Sequence, residues 1–116
     1  MEINNFIRGG VYLAKLNPSK YDEIGKLRPV VILTSQILLD NKPPFIFICP
    51  LSSQSQEAYK HLHFKISARD KLKKSSYVLV EHFKSISSQR LHNTCLSVLT
   101  NNELKQIINT LVFMIN

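Results

Sequence analysis

Residues 29–34 constrain the fold of this chain more than any other segment. They read Pro-Val-Val-Ile-Leu-Thr, so they are nearly all apolar and rich in β-branched side chains. A run of this composition is typical of a central strand that is buried on both faces of a sheet. Proline pushes the residue before it towards extended conformations, so the backbone holds Arg28 at the entrance of this strand.

The segment before the strand is charged. Residues 17–27 begin with the turn-forming sequence Asn-Pro-Ser and carry Lys20, Glu23 and Lys26, so they are predicted to form a loop. A guanidinium such as that of Arg28 offers a planar fork of donors that suits phosphate, and it stays protonated at physiological pH. A structural ion pair between Arg28 and Glu23 explains the same residues, and their spacing alone does not decide between the two interpretations.

The remaining pattern predicts more strands and one helix. Thr100 and Glu103 form a capping box, in which each side chain satisfies a backbone donor of the first helical turn. Because strands do not alternate with helices, we expect an α+β fold with a small curled antiparallel sheet. Strands are predicted at 10–16, 45–51, 77–83 and 94–99, and helical turns at 35–39 and 87–91. The apolar stripe of the C-terminal helix, which would pack on the sheet or on a partner, is Leu104, Ile107, Ile108, Leu111 and Ile115.

A polar loop follows the strand at 45–51. Pro50 cannot donate to a ladder, so it requires a strand end, a bulge or an edge. Ser52, Ser53 and Gln54 come directly afterwards. Their hydroxyl and amide groups can bind phosphate oxygens or base edges, although a serine-rich turn also accounts for the composition.

Two further segments carry histidines and basic residues. His61 and His63 stand two residues apart, so a strand would place both on one face with Lys65. Without a third ligand nearby, they indicate an exposed basic face rather than a metal pair. Residues 67–76 are the best electrostatic footprint for an RNA backbone, because they contain Arg69, Lys71, Lys73 and Lys74.

Charge and length limit the class of protein. The 116 residues suit one domain, residues 1–116, and 15 Lys and Arg against 8 Asp and Glu give a formal charge of +7. This excess favours an anionic partner, either nucleic acid or an acidic protein. No signal peptide or membrane-spanning run is visible, so a cytoplasmic location is expected. Cys49 and Cys95 are interpreted as reduced, buried thiols, and they predict neither a metal site nor a cofactor.

Seven fragments in order resemble the MazF/PemK family of toxin endoribonucleases. They are RGGVY at 8–12, LNP at 16–18, EIGKLRPVV at 23–31, PLSSQ at 50–54, SYVLVE at 76–81, SI at 85–86 and QRL at 89–91. The resemblance spans nearly the whole chain. It implies an SH3-like, CcdB-like antiparallel β-barrel with a C-terminal helix, usually a homodimer. The implied catalytic residues are Arg28, Ser52 and Glu23, and the implied RNA-binding residues are Lys20, Lys26, Ser53, Gln54, Glu81, His82 and Lys84.

The same resemblance implies a function. Members of this family cleave single-stranded RNA at short sequences without a metal, leave a 2′,3′-cyclic phosphate and a 5′-OH, and are neutralised by a cognate antitoxin. The chain departs from the family pattern at Ser52, where a threonine is usual, and at Gly10, where an aspartate is more common. A catalytically silent RNA- or antitoxin-binding relative is therefore an alternative. A CcdB-like gyrase inhibitor is another, although that branch depends on a C-terminal tryptophan and this chain has no Trp.

Overall fold

The computed structural model describes residues 5–16 and 27–116. Its strands are β1 (Gly10–Lys15), β2 (Leu27–Ile32), β3 (Phe45–Ser52), β4 (His63–Ile66), β5 (Ser76–Leu79), β6 (Lys84–Ser87) and β7 (Leu91–Val98). Its α-helices are α1 (Gln36–Asp40) and α2 (Asn101–Ile115), and 3₁₀ turns cover Glu57–Leu62, Val80–His82 and Ser88–Arg90. No helix in these ranges is long and apolar enough to cross a membrane.

The strands form one antiparallel sheet of seven strands. Its order is β4-β5-β3-β2-β1-β7, and β6 pairs with β3 outside this path. The predicted α+β class with an antiparallel sheet and a C-terminal helix is confirmed. The expected closure of the sheet into an SH3-like barrel is not detected. In the described ranges, the strands at the two ends of the sheet, β4 and β7, do not pair with each other.

Both faces of β2 are buried from Val30 to Ile32, as its apolar run predicted. Val31 belongs to one core cluster, which also contains Leu104 and Ile107 of α2. Val30 and Ile32 belong to the other cluster, on the opposite face. Alternating side chains of one strand therefore enter two different cores, which is why β2 has no polar alternation.

The boundaries of several elements differ from the prediction. The strand predicted at 29–34 is shifted to Leu27–Ile32, and the last strand begins at Leu91 rather than at residue 94. Strand β6 was not predicted. The strand predicted at 77–83 ends at Leu79 because the 3₁₀ turn Val80–His82 follows it.

Pro50 lies inside β3, two residues before its end. On the β2 side it pairs with Val30. On the other side of β3, β6 pairs with residues 45–48 and β5 pairs with residues 51–52. Proline has no backbone N–H, and Pro50 lies between these two paired segments, so no ladder hydrogen bond is lost there. This local gap in the ladder has the character of an edge, as expected for a proline in a sheet.

Helix α2 begins with the predicted capping box. The Thr100 side chain accepts from the Glu103 backbone, and the Glu103 side chain accepts from the Thr100 backbone. Most of the predicted stripe packs on the core, but Ile115 is 76% exposed. Met114 takes its place against the core, so the prediction for the last turn is wrong by one residue.

Glu103 also holds the basic loop between β4 and β5. Its two carboxylate oxygens accept hydrogen bonds from the two terminal nitrogens of Arg69, at 3.0 and 2.7 Å. This hydrogen-bonded ion pair keeps the pKa of the Glu103 carboxyl below its ordinary value. Asp70 of the same loop accepts from the Ser97 hydroxyl at 2.8 Å, and the Lys71 backbone donates to Leu96. The loop is therefore fixed to β7 and to α2.

We predict that Glu103→Gln destabilises the protein at pH 7. Glutamine still completes a capping box, so the loss reports on the ion pair with Arg69. The lowered pKa means that the stabilisation is present above the unfolded-state pKa, about 4.3, and is lost as the pH falls through the lower folded-state value. Urea denaturation should show a loss of about 1–3 kcal/mol at pH 7 and a smaller loss at pH 3.

Glu57→Gln is the matched control, because Glu57 forms an ion pair with Lys60 while its side chain is 84% exposed. Its effect should stay within about 0.5 kcal/mol. Equal destabilisation by Glu103→Gln at the two pH values would contradict a role for the charge.

Candidate nucleic-acid interface

The pairing of β2 with β3 sets the geometry of the site. Val30 pairs with Pro50, and Ile32 with Ile48. The pairing ends at Val30 and Pro50, and Arg28 and Ser52 lie two residues beyond this pair on the two strands. Arg28 is exposed and Ser52 is half-buried. The two residues therefore lie at the same end of two adjacent strands.

Arg28 and Ser52 line one cleft, here called the basic cleft. Its volume is about 480 Å³, and Ser53 also lines it. The loop that Glu103 anchors contributes Lys71, Lys73 and Lys74. Single-stranded nucleic acid is commonly bound in grooves where positive charge follows the backbone, so this arrangement suits an RNA phosphate chain.

Not every basic residue of this loop is available to RNA. The predicted footprint included Arg69, but its guanidinium is engaged by Glu103. Burial and hydrogen bonding therefore give Arg69 a structural role, while the exposed lysines beside it keep their charge towards the cleft.

A second cleft, here called the Glu81 cleft, lies on the other side of Ser52. Its volume is about 490 Å³. Its polar lining includes Ser52, Gln54, Gln56, His63, Glu81 and His82. Ser52 lines both clefts, so it lies where a lysine-rich surface meets a surface that contains a carboxylate.

A hydrogen-bond chain organises the Glu81 cleft. His63 Nε2 is 2.8 Å from Glu81 Oε2, and His63 Nδ1 is 2.6 Å from the Ser55 hydroxyl oxygen. A carboxylate oxygen accepts, which assigns a proton to Nε2, and the Ser55 hydroxyl can either donate to Nδ1 or accept from it. The chain thus ties the loop after β3 to the 3₁₀ turn after β5.

The burial of His63 contradicts the predicted exposed basic face. The expected exposed basic face of His61, His63 and Lys65 does not form, because His61 lies in a 3₁₀ turn and the His63 side chain is only 3% exposed. The hydrogen-bond chain through His63 and Ser55 was not predicted from the sequence. Their partner Glu81 is 18 residues from His63 along the chain, and no local pattern joins the two.

The other predicted site residues divide into three groups. Gln54 and His82 line the Glu81 cleft, and His82 Nε2 is 3.8 Å from Glu81 Oε2. Lys84 lies in β6 opposite Ile48 and is not among the described residues that line either cleft. Lys20, Glu23 and Lys26 lie outside the described residues.

Both cysteines are free thiols, as predicted, but only Cys49 is buried, whereas Cys95 is half-buried. Cys49 is buried in the sheet, and burial raises the pKa of its thiol to about 12. It therefore stays protonated and is a poor nucleophile at neutral pH. In residues 5–16 and 27–116, no group of three or more His, Cys, Asp or Glu side chains is arranged to hold a metal ion.

Known proteins resemble this chain in sequence and in fold. Residues 7–115 match the family of PemK-like, MazF-like toxins of type II toxin–antitoxin systems. Endoribonuclease MazF of Staphylococcus saprophyticus is 31% identical over 106 residues, which are 90% of this chain and 86% of that protein.

Solved structures share the fold at low sequence identity. A MazE–MazF complex from Deinococcus radiodurans matches with a TM-score of 0.78 and 16% identity, covering 96% of each chain. Mycobacterium tuberculosis toxin MazF-mt6 matches with a TM-score of 0.73 and 16% identity, covering 91% of this chain and 95% of that one. The fold, the family match and the sequence identity agree: this chain belongs to the PemK-like, MazF-like toxins of type II toxin–antitoxin systems and is a homologue of endoribonuclease MazF.

Proposed function

We propose that this protein is a sequence-specific, metal-independent endoribonuclease toxin that cleaves single-stranded RNA to 2′,3′-cyclic phosphate and 5′-OH ends. The observation that carries the proposal is that Arg28 and Ser52 line one cleft together with three lysines. Cleavage of mRNA would inhibit translation and growth. The relationship to MazF endoribonucleases supports the same activity.

The proposed chemistry needs three groups. A base takes the 2′-OH proton, a cation or donors stabilise the charged phosphorane, and an acid protonates the leaving 5′-oxygen. Arg28 suits the second task, because its guanidinium is charged and donates in a planar fork. Ser52 Oγ donates to the same phosphate. Serine keeps the hydroxyl of the usual threonine and loses only the methyl group that restrains its rotamer.

Glu23 completes the proposed catalytic set. It would orient Arg28 or accept a proton during the reaction. Lys20 and Lys26 belong to the same segment before β2 and would contact the RNA backbone. The structure does not describe this segment, so these roles rest on the family resemblance and on the chemistry of the residues.

The remaining RNA contacts follow from the two clefts. Ser53 in the basic cleft supplies a hydroxyl for phosphate, and Gln54 in the Glu81 cleft supplies an amide for a base edge. Glu81 and His82 line the same cleft as Gln54. Lys84, at the start of β6, would contact a longer RNA beyond the cleft.

The proposed partners are a cognate antitoxin and a second copy of this chain. One relative in fold is an endoribonuclease in complex with its cognate antitoxin. An acidic, disordered segment that folds on binding would suit the basic cleft. The homodimer would cover apolar side chains of α2, where Phe113 is 71% and Ile115 76% exposed.

We predict that purified protein cuts a long single-stranded RNA in EDTA at a restricted set of sequences and leaves 5′-OH ends. Arg28→Ala should abolish cutting, because it removes the charge that stabilises the phosphorane. Ser52→Ala should slow cutting roughly a hundredfold and leave RNA binding largely intact, because one transition-state donor is lost. Cut positions and end groups are read by sequencing and by labelling of 5′-OH termini.

Lys105→Ala serves as the control, because it removes one exposed positive charge from α2, away from both clefts. It should cut like the wild type. Wild-type rates in both Arg28→Ala and Ser52→Ala would refute the assigned site. Absence of cutting by the wild type at every salt concentration would favour a catalytically silent relative.

We also predict that Lys73→Gln/Lys74→Gln weakens RNA binding in a salt-dependent way. Each lysine that neutralises a phosphate of single-stranded RNA contributes about 0.7 to the slope of log affinity against log salt, so the double variant should reduce the slope by roughly 1.4. Fluorescence anisotropy with an RNA that carries 2′-deoxy sugars measures this. The pair Lys60→Gln/Lys105→Gln, which removes equal charge elsewhere, should leave the slope unchanged, and equal slopes for all three proteins would argue against binding in the basic cleft.

A further inference from the structure

We propose that Ser55 and His63 are positioning residues for RNA cleavage, because they hold the loop after β3 in the shape that presents the Ser52 hydroxyl to the scissile phosphate. The inference deepens the proposed function and rests on it. It explains how this chain compensates for a serine at the position where a threonine is usual.

The loop after β3 restrains the Ser52 hydroxyl directly. Ser52 is the last residue of β3, and its Oγ accepts a hydrogen bond from the backbone N–H of Gln54 at 3.1 Å. A hydroxyl has two acceptor lone pairs and one donor, so this bond leaves the hydroxyl proton available for a phosphate oxygen. The shape of the loop therefore sets the rotamer of the side chain that the proposed chemistry uses as a donor.

Serine depends on this bond more than threonine would. The second heavy atom on the threonine Cβ restricts χ1, whereas a serine hydroxyl turns among three staggered rotamers. Ser53 and Gln54 are exposed, so burial does not hold this part of the loop in shape. The Gln54 N–H can restrain the Ser52 hydroxyl only if the loop is fixed at another point.

Ser55 supplies that point, because it joins the loop to the sheet. Its hydroxyl oxygen is 2.6 Å from His63 Nδ1. His63 begins β4 and pairs with Leu79 of β5, and its side chain is only 3% exposed. The loop is therefore tied to a buried ring one residue after Gln54.

The imidazole of His63 is itself held from its other side. Its Nε2 is 2.8 Å from Glu81 Oε2. Glu81 follows Val80, which is fully buried in the core. A ring that is bonded at both nitrogens cannot rotate without breaking a hydrogen bond, so the core fixes the partner that Ser55 meets. The chain of contacts thus runs from the core to the loop that sets the Ser52 rotamer.

The first test measures kcat and KM on a fluorogenic RNA that contains a cut site. Ser55→Ala should lower kcat roughly tenfold and leave KM within about twofold, because Ser52 is misplaced while the lysines still bind the RNA. Ser55→Thr keeps the hydroxyl and should cut at close to the wild-type rate. Ser87→Ala is the matched control: the Ser87 hydroxyl accepts from the Gln89 N–H at 3.3 Å in a similar turn, and Ser87 is not among the described residues that line either cleft.

A rescue experiment separates positioning from other roles. Ser52→Thr restores the methyl group that restrains χ1, so adding Ser55→Ala to this variant should lower kcat by less than about twofold. An equal loss of kcat in the two backgrounds would overturn the inference, because Ser55 would then act by another route. An unchanged kcat in Ser55→Ala, or a raised KM alone, would also overturn it.

A second measurement does not depend on cutting. Water-exchange NMR should show that the Gln54 amide exchanges several-fold faster in Ser55→Ala and in His63→Gln, approaching its rate in Ser52→Ala. Ser87→Ala should leave it unchanged, and thermal melting checks that each variant is folded. Failure of the wild type to cut RNA would reject the nuclease and with it the catalytic role of this anchor. An unaltered Gln54 exchange rate in Ser55→Ala would reject the anchor alone.

Discussion

The antiparallel pairing of β2 with β3 is the constraint on which the candidate site depends. Alternate residues of β2 enter two different cores, so a slip of one residue would move Val30 and Val31 each to the wrong face. The register is therefore strongly specified by burial. Because Arg28 and Ser52 stand at the open ends of these two strands, the hydrophobic core determines the position of the polar groups.

The change of neighbours along β3 explains why two clefts meet at Ser52. At Pro50 the strand has left β6 and has not yet paired with β5. The last residues of β3 then lie between the lysine-bearing loop and the turn that carries Glu81. One cleft offers positive charge and the other offers hydrogen-bond acceptors and amides. This division matches the separate needs of binding a phosphate chain and distinguishing bases.

Sequence reasoning predicted the features that are encoded locally. The buried run of β2 and the capping box at Thr100 each depend on neighbouring residues, and each is confirmed. The polar loop begins one residue later than predicted, because Ser52 is the last residue of β3. The chain of Ser55, His63 and Glu81 depends on contacts between distant segments, so periodicity gave no sign of it. Arg69 illustrates the same limit, because its partner Glu103 lies 34 residues away and converts a predicted RNA contact into a structural ion pair.

We propose that Arg28 and Ser52 act on one phosphate. A crystal structure of the protein with a single-stranded RNA that carries a 2′-deoxy sugar at the cut position would test this. We expect one phosphate within about 2.7–3.2 Å of both the Arg28 guanidinium and Ser52 Oγ. Contacts of the two side chains with different phosphates, or an RNA backbone that lies outside the basic cleft, would refute the shared role.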